Sequence, residues 1–174
     1  ILYNATAIRL MATRNEATMM PRIRLKGFAD VEVVRGDELI ETLASSYSHA
    51  GVDDTIVITR SNKRANIYNI GIRNTVLDRE EELVRGDMLM VVRNKYLDEG
   101  QPVNFIANGD RAVVVSVHNF RELYGFHFAD VTLRFPDYED FELASTAILD
   151  TLHSDAPALT ASESQQLFES VMED

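Results

Sequence analysis

The chain of 174 residues contains no cysteine, which excludes disulfides, thiolate metal sites and cysteine nucleophiles. No apolar run approaches the ~18 residues that a transmembrane helix requires. The sequence also lacks a G-x-x-x-x-G-K-[ST] phosphate loop and an apolar strand ending in the Asp-Glu pair of a Walker B motif. These absences predict a cytoplasmic protein with no membrane partner, in which this part of the chain cannot hydrolyse ATP alone.

Charge is distributed unevenly along the chain, whose formal net charge is -11. The segment from Asp137 to Asp174 holds ten acids and no Lys or Arg, whereas the remainder is nearly balanced, with 17 bases against 18 acids. Such an acidic segment usually forms a solvated surface or faces a basic neighbour. The net charge therefore does not exclude nucleic acid as a partner of the rest of the chain.

A basic segment lies within this acidic protein. The span from Thr59 to Arg73 contains Arg60, Lys63 and Arg64 and no acid at all. A local excess of cations of this kind is most often used to bind a polyanion.

Hydrophobic periodicity divides the chain into two patterns. In the first 82 residues, helices are predicted over Ala5–Met11 and from an Asp37 cap to about Ala50, and strands over Arg22–Lys26, Val31–Val34 and Thr55–Thr59. A Ser61-capped basic helix follows the last of these strands. Alternating strands and helices at this spacing predict part of a parallel α/β sheet.

After residue 82 the pattern changes to period two, which indicates a small antiparallel module. Strands are predicted over Met88–Arg93, Val103–Ile106, Ala112–Val117, Glu122–Phe128, Val131–Phe135 and Phe141–Leu149. Bends are predicted at Asn108-Gly109, Asn119, Gly125 and Pro136-Asp137. A final helix opens with Thr160-Ala161-Ser162-Glu163, which has the pattern of a capping box.

Three sequence segments together resemble a known family. They are DTIVITRSNKRANIYNIGIRN, GDMLMVVRN and FIANGDRAVVVSV, in that order. This arrangement resembles the second motor domain of RecD/Dda-type superfamily 1 DNA helicases, and in particular the large Bacteroidetes ATPases similar to the exodeoxyribonuclease V alpha subunit. The likeness extends from about Gly36 to Asp174.

The resemblance implies an α/β plus all-β fold. Residues 1–82 would form part of the second RecA-like motor domain with its parallel sheet, residues 83–155 an inserted SH3-like β-barrel, and residues 156–174 a helix packing on the module. The chain would then be a piece of a larger ATP-dependent 5′-to-3′ DNA helicase. No cofactor is expected in this piece, because ATP and Mg²⁺ would belong to the parent protein.

Two candidate DNA-binding segments follow from the residues and from the resemblance. The first is the strand-to-helix turn, where hydroxyl, amide and free helix N–H groups suit a phosphate: Thr59, Arg60, Ser61, Asn62, Lys63 and Arg64. The second ends the first barrel strand and combines cations with an aromatic ring, which suits single-stranded DNA: Arg93, Asn94, Lys95 and Tyr96. The alternatives are an ordinary cap with solvated arginines and a solvated loop with Tyr96 partly buried.

The expected partners are single-stranded DNA and the remaining domains of the parent helicase. An alternative function from a different class is a non-catalytic module that recruits a nuclease or recombination subunit. A stand-alone nuclease is disfavoured, because the acids near Asp137 have no accompanying Lys or His. His118, His127 and His153 lack ligand spacing, so no metal site is predicted.

Overall fold

The computed structural model of the chain describes residues 1–14, 20–98, 100–154 and 158–173. The chain divides into two compact units, Ile1–Thr55 and Ile56–Asp174. It combines helices with antiparallel sheets, one of them curled into half a barrel, which confirms the predicted mixture of α and β structure. Among the described residues, no helix has the length and apolar character needed to cross a membrane.

The first unit contains helices α1 (Leu2–Thr13) and α2 (Leu39–Ala50). The α2 helix ends as predicted at Gly51, whose φ of 85° suits glycine. It begins after Glu38 rather than at a capping Asp37, because the Asp37 carboxylate pairs with Arg35 at 3.1 Å.

The predicted parallel RecA-like sheet is wrong for the described residues, since none before Met88 forms a strand. The segments Arg22–Lys26, Val31–Val34 and Thr55–Thr59 are irregular. A strand exists only where a neighbouring strand shares its backbone hydrogen bonds. The backbone of Arg24 bonds the Asn4 side chain instead, through both its N–H and its carbonyl, each at 2.9 Å. An apolar, β-branched sequence does not by itself provide a neighbouring strand with which to pair.

The second unit opens with α3 (Asn62–Gly71), which continues directly into one π-helical turn, Ile72–Val76. Ser61 caps α3 as predicted, since its Oγ accepts a hydrogen bond from the Arg64 N–H at 3.3 Å. A π turn rotates the following residues relative to a regular α-helix. In this chain the turn contains Arg73.

A four-stranded antiparallel sheet dominates this unit, with strand order β1-β4-β5-β6. The strands are β1 (Met88–Met90), β4 (Arg111–Leu123), β5 (Phe126–Phe135) and β6 (Phe141–Ile148), while β2 (Lys95–Tyr96) and β3 (Phe105–Ile106) form a separate two-stranded ladder. The register shifts in β4 between Val114 and Ser116 and between His118 and Arg121. Such bulges bend a strand, which accounts for the curl of the sheet.

The predicted strand Glu122–Phe128 is wrong, because the chain reverses in its middle. Leu123 pairs with Phe126 across a two-residue loop in which Tyr124 and Gly125 have φ of 57° and 78°. Positive φ at both positions is the requirement of a type I′ hairpin. The predicted bend at Gly125 is confirmed, and so is the irregularity at Asn119, whose φ is 53°.

Two clusters of buried side chains form the core of the second unit. One gathers residues from the sheet and from both of its flanking segments: Leu83, Val114, Ala129, Val131 and Leu149. The other lies where the two-stranded ladder meets the sheet: Ile106, Ala112 and Phe135. Residues of the sheet are thus buried together with Leu83, which precedes β1, and Leu149, which follows β6.

A buried carboxylate joins the helical part of the second unit to its sheet. Asp87 is 5% exposed, and its oxygens accept hydrogen bonds from Arg73 Nε at 3.0 and 3.1 Å, from Arg79 at 2.9 Å and from the Val84 N–H at 2.9 Å. Burial alone would raise the pKa of Asp87, but the bonds from Arg73, Val84 and Arg79 outweigh it and lower that pKa below its ordinary value. Asp87 is therefore ionised at neutral pH.

The end of the chain forms α4 (Asp150–His153) and α5 (Ala161–Glu173). The predicted capping box of α5 is confirmed: Thr160 Oγ accepts from the Glu163 N–H at 3.3 Å, and the Glu163 carboxylate accepts from the Thr160 N–H at 2.7 Å. The predicted boundary between residues 155 and 156 lies outside the described residues.

Replacing Asp87 by Asn should destabilise the protein by about 2–4 kcal/mol, because two guanidinium groups would lose their anion. This loss is at the lower end of what breaking a buried ion pair costs, because the Arg73 and Arg79 side chains remain 21% and 25% exposed. Urea unfolding measures the loss. Asp137→Asn is the matched control, because its ion pair with Arg111 is half exposed and should contribute less than about 1 kcal/mol. Equal effects of the two substitutions would contradict the proposed importance of Asp87.

His127 should titrate above its ordinary range, because the Asp150 carboxylate lies 3.0 Å from its Nδ1 and raises the pKa of the imidazole. A raised folded-state pKa stabilises the fold fully below the unfolded-state value, and this contribution disappears as pH rises through the folded-state value. NMR titration of the ring should show a lower pKa in Asp150→Asn and no change in Asp137→Asn. The stability difference between wild type and Asp150→Asn should shrink as pH rises from about 6 towards 8. An unchanged His127 titration in Asp150→Asn would refute this pairing.

Candidate nucleic-acid interface

The first candidate segment lies at the N-terminal turn of α3. Because Ser61 caps only the Arg64 N–H, the N–H groups of Asn62 and Lys63 have no hydrogen bond within the described residues. No acid occupies the first helical turn. Free N–H groups together with the positive end of the helix dipole favour an anion at this position.

The side chains of this turn are largely available to solvent. Those of Arg60, Lys63 and Arg64 are exposed and form no ion pair with any described residue. Asn62 and Ser61 are exposed as well. Thr59 differs, because it is half-buried and its hydroxyl donates to the Ser61 carbonyl at 3.1 Å. Thr59 thus supports the turn through its hydroxyl.

Arg73 has a structural role although it belongs to the same basic segment. Its guanidinium contacts the Asp87 carboxylate at 2.9 Å and donates to the Arg79 carbonyl at 3.3 Å. The basic segment contains four cations, and within the described residues Arg73 pairs with an acid whereas the three at the start of the segment do not. The π-helical turn, which periodicity does not reveal, places Arg73 next to Asp87.

The second candidate segment surrounds the two-stranded ladder. Asn94 Oδ1 accepts from the Asn108 N–H at 2.8 Å, and Lys95 Nζ donates to Ser145 Oγ at 3.1 Å. Arg93 makes a long contact of 3.5 Å with the Leu159 carbonyl. The segment is held in place by neutral acceptors, so Arg93 and Lys95 keep their positive charge available.

Tyr96 is exposed, in contrast to the alternative in which it is partly buried. Its side chain is 78% exposed, and its ring lies 5.9 Å from that of Phe105 at an interplanar angle of 31°. Phe105 is itself 43% exposed and pairs directly with Tyr96 across the ladder. Phe105 was not among the predicted site residues, because cross-strand pairing is decided by register and not by sequence proximity.

A cavity of about 330 Å³ adjoins this segment along the sheet. Its apolar wall includes Leu89, Leu133 and Leu143, and Arg93 and Lys95 also line it. The site therefore combines an apolar surface, two cations and two exposed aromatic rings.

Ser154 contacts α3, the helix that follows the first candidate segment, and Leu159 contacts the second candidate segment. The Asn66 side chain of α3 donates to the Ser154 carbonyl at 2.8 Å, and Arg93 contacts the Leu159 carbonyl. Ser154 and Leu159 are five residues apart, so their Cα atoms are separated by at most ~18 Å. These two contacts therefore limit how far α3 can lie from the second candidate segment.

The acids of the C-terminal region do not oppose these cations in the described residues. Asp137, Asp140 and Asp150 instead pair with Arg111, Arg134 and His127, which belong to β4 and β5. A similar pairing fixes Asp130, whose pKa is lowered to about 2 chiefly by its hydrogen bond with Arg121. Three of the ten acids of this region thus form ion pairs with side chains of the sheet.

No metal centre is evident in the part of the chain that the structure describes, since it contains no cluster of three or more His, Asp or Glu side chains. His118 is exposed on β4, and His127 pairs with Asp150. The His153 side chain lies outside the described part.

The comparisons with known proteins assign no family. A scan against protein-family models finds no match to this chain, and a search of curated proteins finds none either.

Proposed function

We propose that this chain binds single-stranded DNA, as part of an ATP-dependent helicase of the RecD/Dda type that its sequence resembles. The observation that carries the proposal is the combination, within one compact unit, of two features: exposed cations at the α3 turn, which pair with no described acid, and an exposed Tyr96–Phe105 pair beside Lys95. Cations track the phosphates of a single strand, and aromatic rings stack on its bases.

The two segments would divide this work between them. Phosphate groups would lie at the α3 turn, where the free N–H groups and the exposed side chains of Lys63 and Arg64 are available to an anion. Bases would stack on the exposed ring of Tyr96, which lies beside that of Phe105. The neighbouring Lys95 is oriented by its hydrogen bond to Ser145. Neither contact reads a base edge, so binding should tolerate any sequence.

Within a helicase, these contacts would support translocation along the strand. The half-barrel would correspond to the SH3-like insertion of such a helicase. ATP and Mg²⁺ would act in the parent protein at residues outside this chain, because the sequence has no phosphate loop to cradle a nucleotide. The contribution of this chain would be to hold the strand while the motor moves.

The rival function is docking of a repair protein on the half-barrel, which the apolar cavity beside Arg93 favours. Titration with oligo-dT at two salt concentrations separates the functions. DNA binding through phosphates weakens steeply as salt rises, whereas a protein-docking surface should not bind the oligonucleotide at either concentration.

Replacing Lys63 and Arg64 together by Ala should weaken oligo-dT binding and reduce the slope of log K against log salt by up to about 1.4, since each lost phosphate contact contributes about 0.7 for a single strand. The melting temperature should barely change, because the two side chains are exposed and form no ion pair with a described residue. Fluorescence anisotropy at several salt concentrations measures the slope.

Arg111→Ala with Arg134→Ala is the matched control, because it removes the same charge from exposed cations of the sheet. An equal reduction of the slope in the control would indicate a general charge effect and would contradict a site at α3.

Replacing Tyr96 by Ala should weaken oligo-dT binding by about 1–3 kcal/mol while leaving the salt slope unchanged, because a stacking contact carries no counterion. Phe105→Ala should have a smaller effect of the same kind. Phe120→Ala is the control, since that ring is 56% exposed but lies on β4 rather than on the ladder. Unchanged affinity in Tyr96→Ala would remove the ladder from the proposed site.

A further inference from the structure

The segment that precedes α3 has the features of a strand without a neighbour. Ile56 and Ile58 are 82% and 87% exposed, whereas Val57 between them is half-buried. Within the described residues, the backbone groups of Ile56, Val57 and Ile58 form no hydrogen bond. Unpaired backbone groups beside exposed β-branched side chains form an edge on which another strand can add.

The residues of this segment are self-complementary about Val57. In an antiparallel pair of two identical segments centred on Val57, Ile56 lies opposite Ile58. In the same register Thr55 lies opposite Thr59, and Asp54 opposite Arg60. Two apolar pairs, two Thr pairs and two opposite-charge pairs therefore form at once, which are combinations that stabilise antiparallel ladders.

We propose that this segment pairs with the same segment of a second copy of the chain, as an antiparallel ladder centred on Val57. The contact would be isologous, because a two-fold axis through Val57 exchanges the copies. It would bring the four exposed isoleucines together on one face and pair the backbone groups of every second residue in each segment.

Charge is what favours a second copy over another strand. Any apolar strand could cover Ile56 and Ile58, but an occupant must also place a cation opposite Asp54 and an anion opposite Arg60. The chain itself provides both at the required spacing. Asp54 and Arg60 are exposed, and neither forms an ion pair with a described residue. This inference goes beyond DNA binding and is tested without nucleic acid.

Sedimentation equilibrium on Asp54→Arg, on Arg60→Asp and on the double variant tests the register. Each single substitution turns two attractive cross-strand pairs into repulsive ones, so the dimer dissociation constant should rise by at least about fivefold. The double variant exchanges the charges and should return to within about threefold of wild type. An equimolar mixture of the two single variants should form a heterodimer, since its pairs are again attractive.

Asp53→Arg is the matched control, because it makes the same charge change one residue away, opposite Ser61 in this register. Its dissociation constant should stay within about threefold of wild type. A wild-type chain that remains monomeric at several hundred micromolar would overturn the proposal, as would a dimer that the single substitutions leave intact. Dimerisation that the double variant fails to restore would show that another surface or register is used.

Discussion

The second unit depends on one buried anion. Asp87 receives hydrogen bonds from the guanidinium groups of Arg73 and Arg79 and from the Val84 N–H, so residues from the π-helical turn, from the linker and from the start of β1 meet at one carboxylate. Each of the two cations would be costly to bury partly without an anion, and the anion would be costly without them. The arrangement therefore holds α3 in a defined position relative to the sheet, and with it the cationic turn.

The glycine before Asp87 is required for this arrangement. Gly86 has a φ of 86°, and a Cβ at this position would come within 3.2 Å of the Arg79 guanidinium. The Gly86 carbonyl also accepts a hydrogen bond from Arg79 at 2.9 Å. Gly86 thus lets the Arg79 guanidinium approach the backbone closely, and Asp87 supplies the anion that this guanidinium binds.

The second Gly-Asp pair repeats the same local geometry at the other end of β1. Gly109 has a φ of 98°, and the Asp110 carboxylate accepts from the Ala107 N–H at 2.7 Å, as Asp87 accepts from Val84 three residues before it. Asp110 also accepts from the Tyr138 hydroxyl. The Asp110 carbonyl and the Gly109 N–H both bond Val91, just beyond β1. This turn thereby leads the chain from β3 into β4 and fixes it beside Val91, which precedes the segment that carries Lys95 and Tyr96.

Local sequence determined the features that need only a few neighbouring residues. The Ser61 cap, the Thr160–Glu163 capping box, the Gly51 helix end and the bend at Gly125 were all predictable, because each is set by hydrogen bonds or φ angles within a few residues. The tertiary structure alone decided which segments pair and which cations are free. Within the described residues, Thr55–Thr59 lacks the neighbouring strand that its sequence predicts, and Arg73 of the basic segment bonds Asp87. Phe105 joins Tyr96 only through the ladder register. Pairing and charge compensation depend on residues distant in sequence, so periodicity and composition carry no information about them.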